Sequence, residues 1–170
     1  QRILITHYFH HKLRIPGIIN KEEVIFPRNT PSWCYSELGV LHAIIQSTQI
    51  LKFNFLSTLF KEQLKSIIQD KNNYKIISPN FCHGYSGIFV FARLYEVSSK
   101  ELNGFLLEQI EFFYDHECLS IFYDQYYNLS GEICSDASYS FLDGSISVLL
   151  SLLFVEGYNT VIWEEMLLLK

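Results

Sequence analysis

Charge is scarce in this chain, and positive charge scarcer still. Only 18% of its 170 residues are charged against 49% apolar, so the sequence predicts a packed fold and excludes a disordered one. Thirteen Lys and Arg stand against eighteen Asp and Glu, for a net charge of -5, and they gather into no basic stripe. That argues against nucleic acid as a partner. Long apolar runs are missing too. The longest, Ile146–Val155, is interrupted by Ser147 and Ser151 and spans about half of the ~20 residues a membrane helix needs. The opening QRILITHYFHHK has no apolar stretch before a small-residue cleavage site, so no secretion signal is expected. With these signals absent, the expectation is a soluble, intracellular protein. The first residue is not Met, and the chain reads as the later part of a longer one. No CxxC pair occurs among Cys34, Cys82, Cys118 and Cys134. In a chain neither small nor loop-rich, metal or catalytic use is favoured over a disulfide framework.

Aromatic residues are plentiful: fourteen Phe and eleven Tyr predict a large aromatic core or an aromatic cleft. Apolar residues recur at helical spacing. In Glu37–Gln49, Leu38, Val40, Leu41, Ile44 and Ile45 mark one buried face. The same pattern predicts helices over 55–70, 86–97, 99–115, 143–156 and 159–169. The short stretch Tyr74–Ser78 reads as an extended connector. The predicted fold class is all-α.

Three stretches share one design, in which turn residues lead through a small residue into an apolar helix. They are WCYSELG (Trp33–Gly39), CHGYSG (Cys82–Gly87) and LDGSIS (Leu142–Ser147). Gly84 follows Ser36 by 48 residues and Gly144 follows Gly84 by 60, about two helices per step. Glycine at such a place permits positive φ or a close backbone approach. Helix-pair repeats build either an open solenoid or a closed toroid, and the spacing does not choose between them.

Cys34, Cys82 and His83 each stand at the start of such a helix pair. If neighbouring repeats stack, two thiolates and an imidazole meet, a donor set suited to zinc. Adjacent Cys82 and His83 can share an ion only on non-helical backbone, which Gly84 allows. Three ligands leave a fourth position open, and two thiolates leave the ion electron-rich. Such an ion suits a substrate thiol better than water. The competing reading is a pair of buried thiols and a hydrogen-bonded core histidine, and spacing alone leaves both standing.

Taken in order, WCYSELG, CHGYSG and SFLDGSIS resemble the successive motifs of the lanthionine synthetase C-like (LanC-like) family. That pattern is Trp-Cys-Tyr-Gly-x-x-Gly, then Cys-His-Gly-x-x-Gly, then Leu-x-Gly-x-x-Gly, and serines replace two of its glycines at Ser36 and Ser147. The resemblance covers most of residues 28–170. It implies an α/α toroid of helix pairs, of which residues 1–170 would be the C-terminal part of a single cyclase domain. It also implies zinc held by Cys34, Cys82 and His83, with Tyr35 matching a tyrosine of the active-site motif. The family's arginine four residues before the first cysteine is Thr30 here, and Arg28 is the candidate for its role. The two serines are expected to restrict their turns slightly. The family's acid/base histidine belongs to an earlier repeat, and His7, His10 and His11 sit in no His-Gly motif.

The implied reaction is addition of a cysteine thiol to dehydroalanine or dehydrobutyrine, closing lanthionine or methyllanthionine rings in a lantibiotic precursor. The implied partners are the dehydrated precursor peptide, a dehydratase and a peptide exporter, with the protein cytoplasmic at the membrane face. Two rivals remain: a protein of the same fold that adds glutathione to dehydrated residues, and a helical-repeat binding module. Cys118, Cys134, His42 and His116 are assigned to packing or surface. Asp143 is expected to cap or line its helix start, and Glu164–Glu165 to lie on a solvated face.

Overall fold

Ser36 starts the first helix by taking an extended conformation (φ -128°, ψ -179°) and accepting the Leu38 N–H on its hydroxyl at 3.2 Å. The helix, α1 (Glu37–Ile50), buries Leu38, Leu41, His42, Ile45 and Thr48 at steps of three and four, one continuous face. A tight turn with Lys52 at φ 60° reverses the chain into α2 (Asn54–Gln69), which buries Ser57, Leu64 and Ile68 and packs along α1. The computed structural model describes residues 18–19, 24–25, 31–34, 36–117, 120–128 and 130–158, with positions 163, 165, 167 and 169. It divides into two compact units, Gln1–Lys75 and Ile76–Lys170. The first unit also carries a two-residue antiparallel pair, β1 (Ile18–Ile19) with β2 (Val24–Ile25).

The second unit is built around α3 (Tyr85–Leu94). Every residue from Tyr85 to Ala92 is buried, as expected of a helix covered on all sides. Next comes α4 (Lys100–Glu111), capped by the Ser99 hydroxyl, which accepts from Leu102 N–H at 3.1 Å. It turns Leu102, Leu106 and Ile110 inward. The last described helix is α5 (Ser145–Val155), and α3 packs against both α4 and α5. On α5 the buried residues are Ser145, Ser147, Val148 and Ser151, while Ile146, Leu149 and Leu153 are each about two-fifths exposed. Small side chains thus occupy its inner face. The aromatic residues do form core: Phe81 and Phe91 are fully buried, and Phe81 meets Trp163 edge-to-face at 5.2 Å.

The predicted helices 37–49, 55–70, 86–97, 99–115 and 143–156 match α1 to α5, with ends shifted by a few residues. Most of the segment 159–169 lies outside the described residues. The connector at Tyr74–Ser78 is non-helical, as expected. The described residues are mostly helical, as the all-α class expects, with a few short strands that the sequence reading did not foresee. Between α4 and α5 the chain forms an antiparallel hairpin, β3 (Tyr123–Tyr127) with β4 (Ile133–Ala137), in register Asp124↔Asp136 and Tyr126↔Cys134. Its strands are half-buried at most, so neither shows the apolar alternation by which a strand is recognised in sequence. The hairpin turn is tied by Asn128 Oδ1, which accepts from the N–H groups of Ser130 and Glu132 at 2.9 Å each, with Gly131 at φ 80°. At its base the Ser145 hydroxyl bonds both the N–H and the C=O of Phe122 at 3.2 Å, fastening the hairpin to the start of α5.

Candidate metal centre

Cys82 and His83 sit side by side on the turn that leads into α3. Residues 81–83 are non-helical, and Gly84 caps the helix in an extended conformation (φ -114°, ψ -174°). Glycine here serves close approach rather than positive φ. A Cβ on Gly84 would lie 2.4 Å from Asn80 N and 2.5 Å from Ser78 O, and one on Gly87 would lie 2.1 Å from Phe81 O. All three obstacles are backbone. Gly39 repeats the Gly87 contact in the first unit, where a Cβ would lie 1.8 Å from the carbonyl oxygen of Trp33, the residue before Cys34. Each of the two cysteines thus follows a carbonyl against which a helical glycine is pressed.

The turn carrying Cys82 and His83 is anchored to the start of α5 in the same unit. Cys82 N–H donates to Leu142 O at 3.2 Å, and Phe81 N–H donates to Ser147 Oγ at 3.1 Å. Ser147 also donates to Gly144 O at 2.7 Å. The second and third motifs therefore lie next to each other, as stacking of repeats requires. Both serines fasten turns through their hydroxyls. Ser147 bridges two of them, while Ser36 cinches the loop before α1, accepting from Ser32 N–H at 2.6 Å and donating to Ser32 O at 2.7 Å.

Cys82 is buried at 9% exposure, and the His83 side chain is 23% exposed. Buried Asn80 holds this histidine at two points. Its Oδ1 accepts the His83 backbone N–H at 2.9 Å, and its Nδ2 lies 3.1 Å from His83 Nε2. Asp143 Oδ1 lies 3.8 Å from His83 Nδ1. Of the two expected roles, Asp143 lines rather than caps the start of α5: Gly144 is the cap residue, with no side-chain cap bond, and the Asp143 carboxylate stands beside the imidazole. Asp124 of β3 accepts from Asn80 Nδ2 at 3.0 Å and from the Ser78 hydroxyl. Burial pushes the Asp124 carboxyl above its ordinary range, opposed by the bonds from Ser78 and Asn80 and by the nearness of His83.

Of the residues singled out in sequence, Cys82 and His83 come together on one turn. Cys34 occupies the corresponding turn before α1, where it is exposed. Tyr35, Arg28, Cys118, His7, His10 and His11 lie outside the described residues. His42 is buried on α1, His116 is exposed beside Glu117, and Cys134 is half-buried on β4, consistent with the packing and surface roles given them. Asn80 and Asp124 escaped the sequence reading. Asn80 had a weak signal in its place three residues before His83; Asp124, from a distant hairpin, had none.

Cys82 and His83 offer a thiol and an imidazole on one turn, and Cys34 offers a second thiol on the matching turn of the first unit, donor types suited to a metal ion. The surroundings of His83 fit that use, since a ligating histidine commonly sets its second ring nitrogen against a carboxylate or other polar partner. The described residues thus define a mostly helical protein with thiol and imidazole donors on glycine-marked turns at helix starts. The family model of lanthionine synthetase C-like proteins matches residues 2–168, and the chain belongs to that family. No individual curated protein matches it. Among the described residues, no helix is long and apolar enough to cross a membrane.

Proposed function

We propose that this chain is a zinc-dependent peptide cyclase that forms lanthionine and methyllanthionine rings in lantibiotic biosynthesis, with Cys34, Cys82 and His83 holding the ion. The observation that carries this reading, beside family membership, is the Cys82–His83 turn, with its backbone fixed by Leu142, Asn80 and the glycine contacts. A turn held that firmly presents a thiolate and an imidazole without rearrangement. Zinc, when bound by two thiolates and one imidazole, supplies a Lewis acid that lowers the pKa of a fourth, substrate thiol while leaving it nucleophilic. In the reaction the thiol loses its proton, and sulfur bonds to the β-carbon of a dehydrated residue. The C=C electron pair moves to the α-carbon side as an enolate, and a proton is delivered to the α-carbon. Tyr35 and Arg28 are proposed as catalytic residues by their motif positions, where a phenol and a guanidinium would steady the enolate charge. The helix pairs belong to an α/α toroid in this reading. The partner is the dehydrated precursor peptide, supplied by a dehydratase and passed to an exporter in the cytoplasm.

The test has two arms. Elemental analysis after dialysis against a mild chelator should give about one zinc per chain, lost in Cys34→Ala, Cys82→Ala and His83→Ala but kept in Cys134→Ala. Full retention in all three variants refutes the site. Ring closure on a dehydrated precursor, followed by loss of alkylatable thiol, then separates a cyclase from a protein that couples only added glutathione.

A further inference from the structure

The two outer edges of the β3–β4 hairpin are not alike. Asn128 N–H donates to Glu132 O at 2.9 Å, so in this register the ladder bonds also join Tyr126 to Cys134 and Asp124 to Asp136. The N–H and C=O groups of the alternate residues then point outward. On β3 that edge is partly used, since Tyr123 N–H donates to Phe113 O at 3.1 Å. On β4 the outward residues include Ile133 and Ser135, both exposed, and among the described residues the outward backbone groups of neither make a hydrogen bond. Edge strands are ordinarily guarded by Lys, Pro or a bulge. The strand ICSDA has neither residue, and its register runs without a bulge.

Charge says what this edge is built to take. Between Lys100 and Lys170 the sequence holds twelve Asp and Glu and not one Lys or Arg. Asp136 of β4 is exposed, as is Glu132 just before the strand. A second copy of the same edge would set like charges opposite each other, which disfavours self-pairing. We propose that the outer edge of β4 docks an extended, cationic peptide segment by strand addition, through backbone bonds to Ile133 and Ser135. Alternate side chains of such a segment fall on two faces, basic ones beside Asp136 and apolar ones beside Ile133. The same hairpin carries Asp124 to Asn80, next to His83, so the segment is held in the unit that bears the Cys82–His83 turn. That the segment belongs to the substrate rests on the cyclase reading; the docking itself does not.

The test uses the full chain and a short, end-labelled synthetic peptide of alternating Lys and Val. That peptide should raise its fluorescence anisotropy on binding, slow amide exchange at Ile133 and Ser135, and bind less tightly as salt is added. A Glu–Val counterpart, and the Lys–Val peptide methylated at every backbone nitrogen, should each bind about tenfold more weakly or worse. Ser135→Pro removes an outward N–H at a place where an edge strand tolerates proline, and Asp136→Lys reverses the facing charge. Each should weaken binding about tenfold with the far-ultraviolet circular dichroism unchanged. No binding of the Lys–Val peptide, equal binding of the Lys and Glu peptides, or binding without protection at Ile133 and Ser135 overturns the proposal. Edge-to-edge pairing of two copies in sedimentation, in place of peptide binding, overturns it as well. If the Lys–Val peptide docks but no ring closes on a dehydrated precursor, the cyclase reading falls and the docking stands. If rings close with the same KM in wild type and Ser135→Pro, the docked segment is not the substrate.

Discussion

Replacing Gly87 and Gly104 by alanine, one at a time, should move stability in opposite directions. Both glycines lie in helices, so both gain the helix-forming advantage of alanine, about 0.5–1 kcal/mol in a helix interior and less in a first turn. At Gly104 nothing lies within 4 Å of the added methyl, and that advantage should appear almost whole. At Gly87 the methyl would sit 2.1 Å from the Phe81 carbonyl oxygen, where contacts under 3.0 Å are essentially never seen. That oxygen must retreat by about 1 Å against the bonds that hold residues 81 and 82 to Ser147 and Leu142. Such overpacking costs about 1–3 kcal/mol, and a backbone obstacle pinned on both sides belongs at the upper end. Gly87→Ala should therefore be about 2 kcal/mol less stable than wild type and Gly104→Ala up to about 1 kcal/mol more stable, a separation of about 3 kcal/mol. Urea unfolding followed by far-ultraviolet circular dichroism gives both numbers from the midpoints at a common slope. A Gly87→Ala protein as stable as wild type would refute the argument that close approach is why glycine stands there.

Ser147→Ala removes the hydroxyl that accepts from Phe81 N–H and donates to Gly144 O, and should lower stability by about 1–3 kcal/mol in the same unfolding assay. Burial holds the Tyr95 phenol above its ordinary range, so its contribution is fully present below about pH 10.0, where an unburied phenol titrates, and is lost as the pH rises beyond that. Between pH 9 and about 11.5 the Tyr95→Phe protein should lose stability less steeply than wild type, and parallel profiles would count against that burial effect. In cobalt-substituted protein, an added small thiol should strengthen the sulfur-to-cobalt charge-transfer band and release a proton below the free thiol pKa. No change with any thiol would favour a closed, structural site.

The helices were legible because burial on one face leaves a period in the sequence. Leu38, Leu41 and Ile45 repeat at three and four, and the structure buries those residues. The strand pair β3–β4 was not legible, because no apolar face of the hairpin is buried and its register depends on the Asn128 turn instead. At the site, the ordered motifs WCYSELG and CHGYSG singled out Cys34, Cys82 and His83, since residue chemistry and spacing alone left buried thiols and a core histidine equally open. The function of the glycines was half legible: sequence left positive φ or close approach open, and the extended φ of Gly84 with the Ser78 and Asn80 backbone at its α-carbon decided for close approach. What surrounds His83 came from tertiary structure alone. Asp124 reaches Asn80 across 44 residues through a hairpin fastened by Ser145, and Asp143 faces the imidazole because α5 packs on α3. Local sequence sets which atoms a turn can offer; which carboxylate or amide stands opposite them depends on distant segments whose approach leaves no periodic mark on either one.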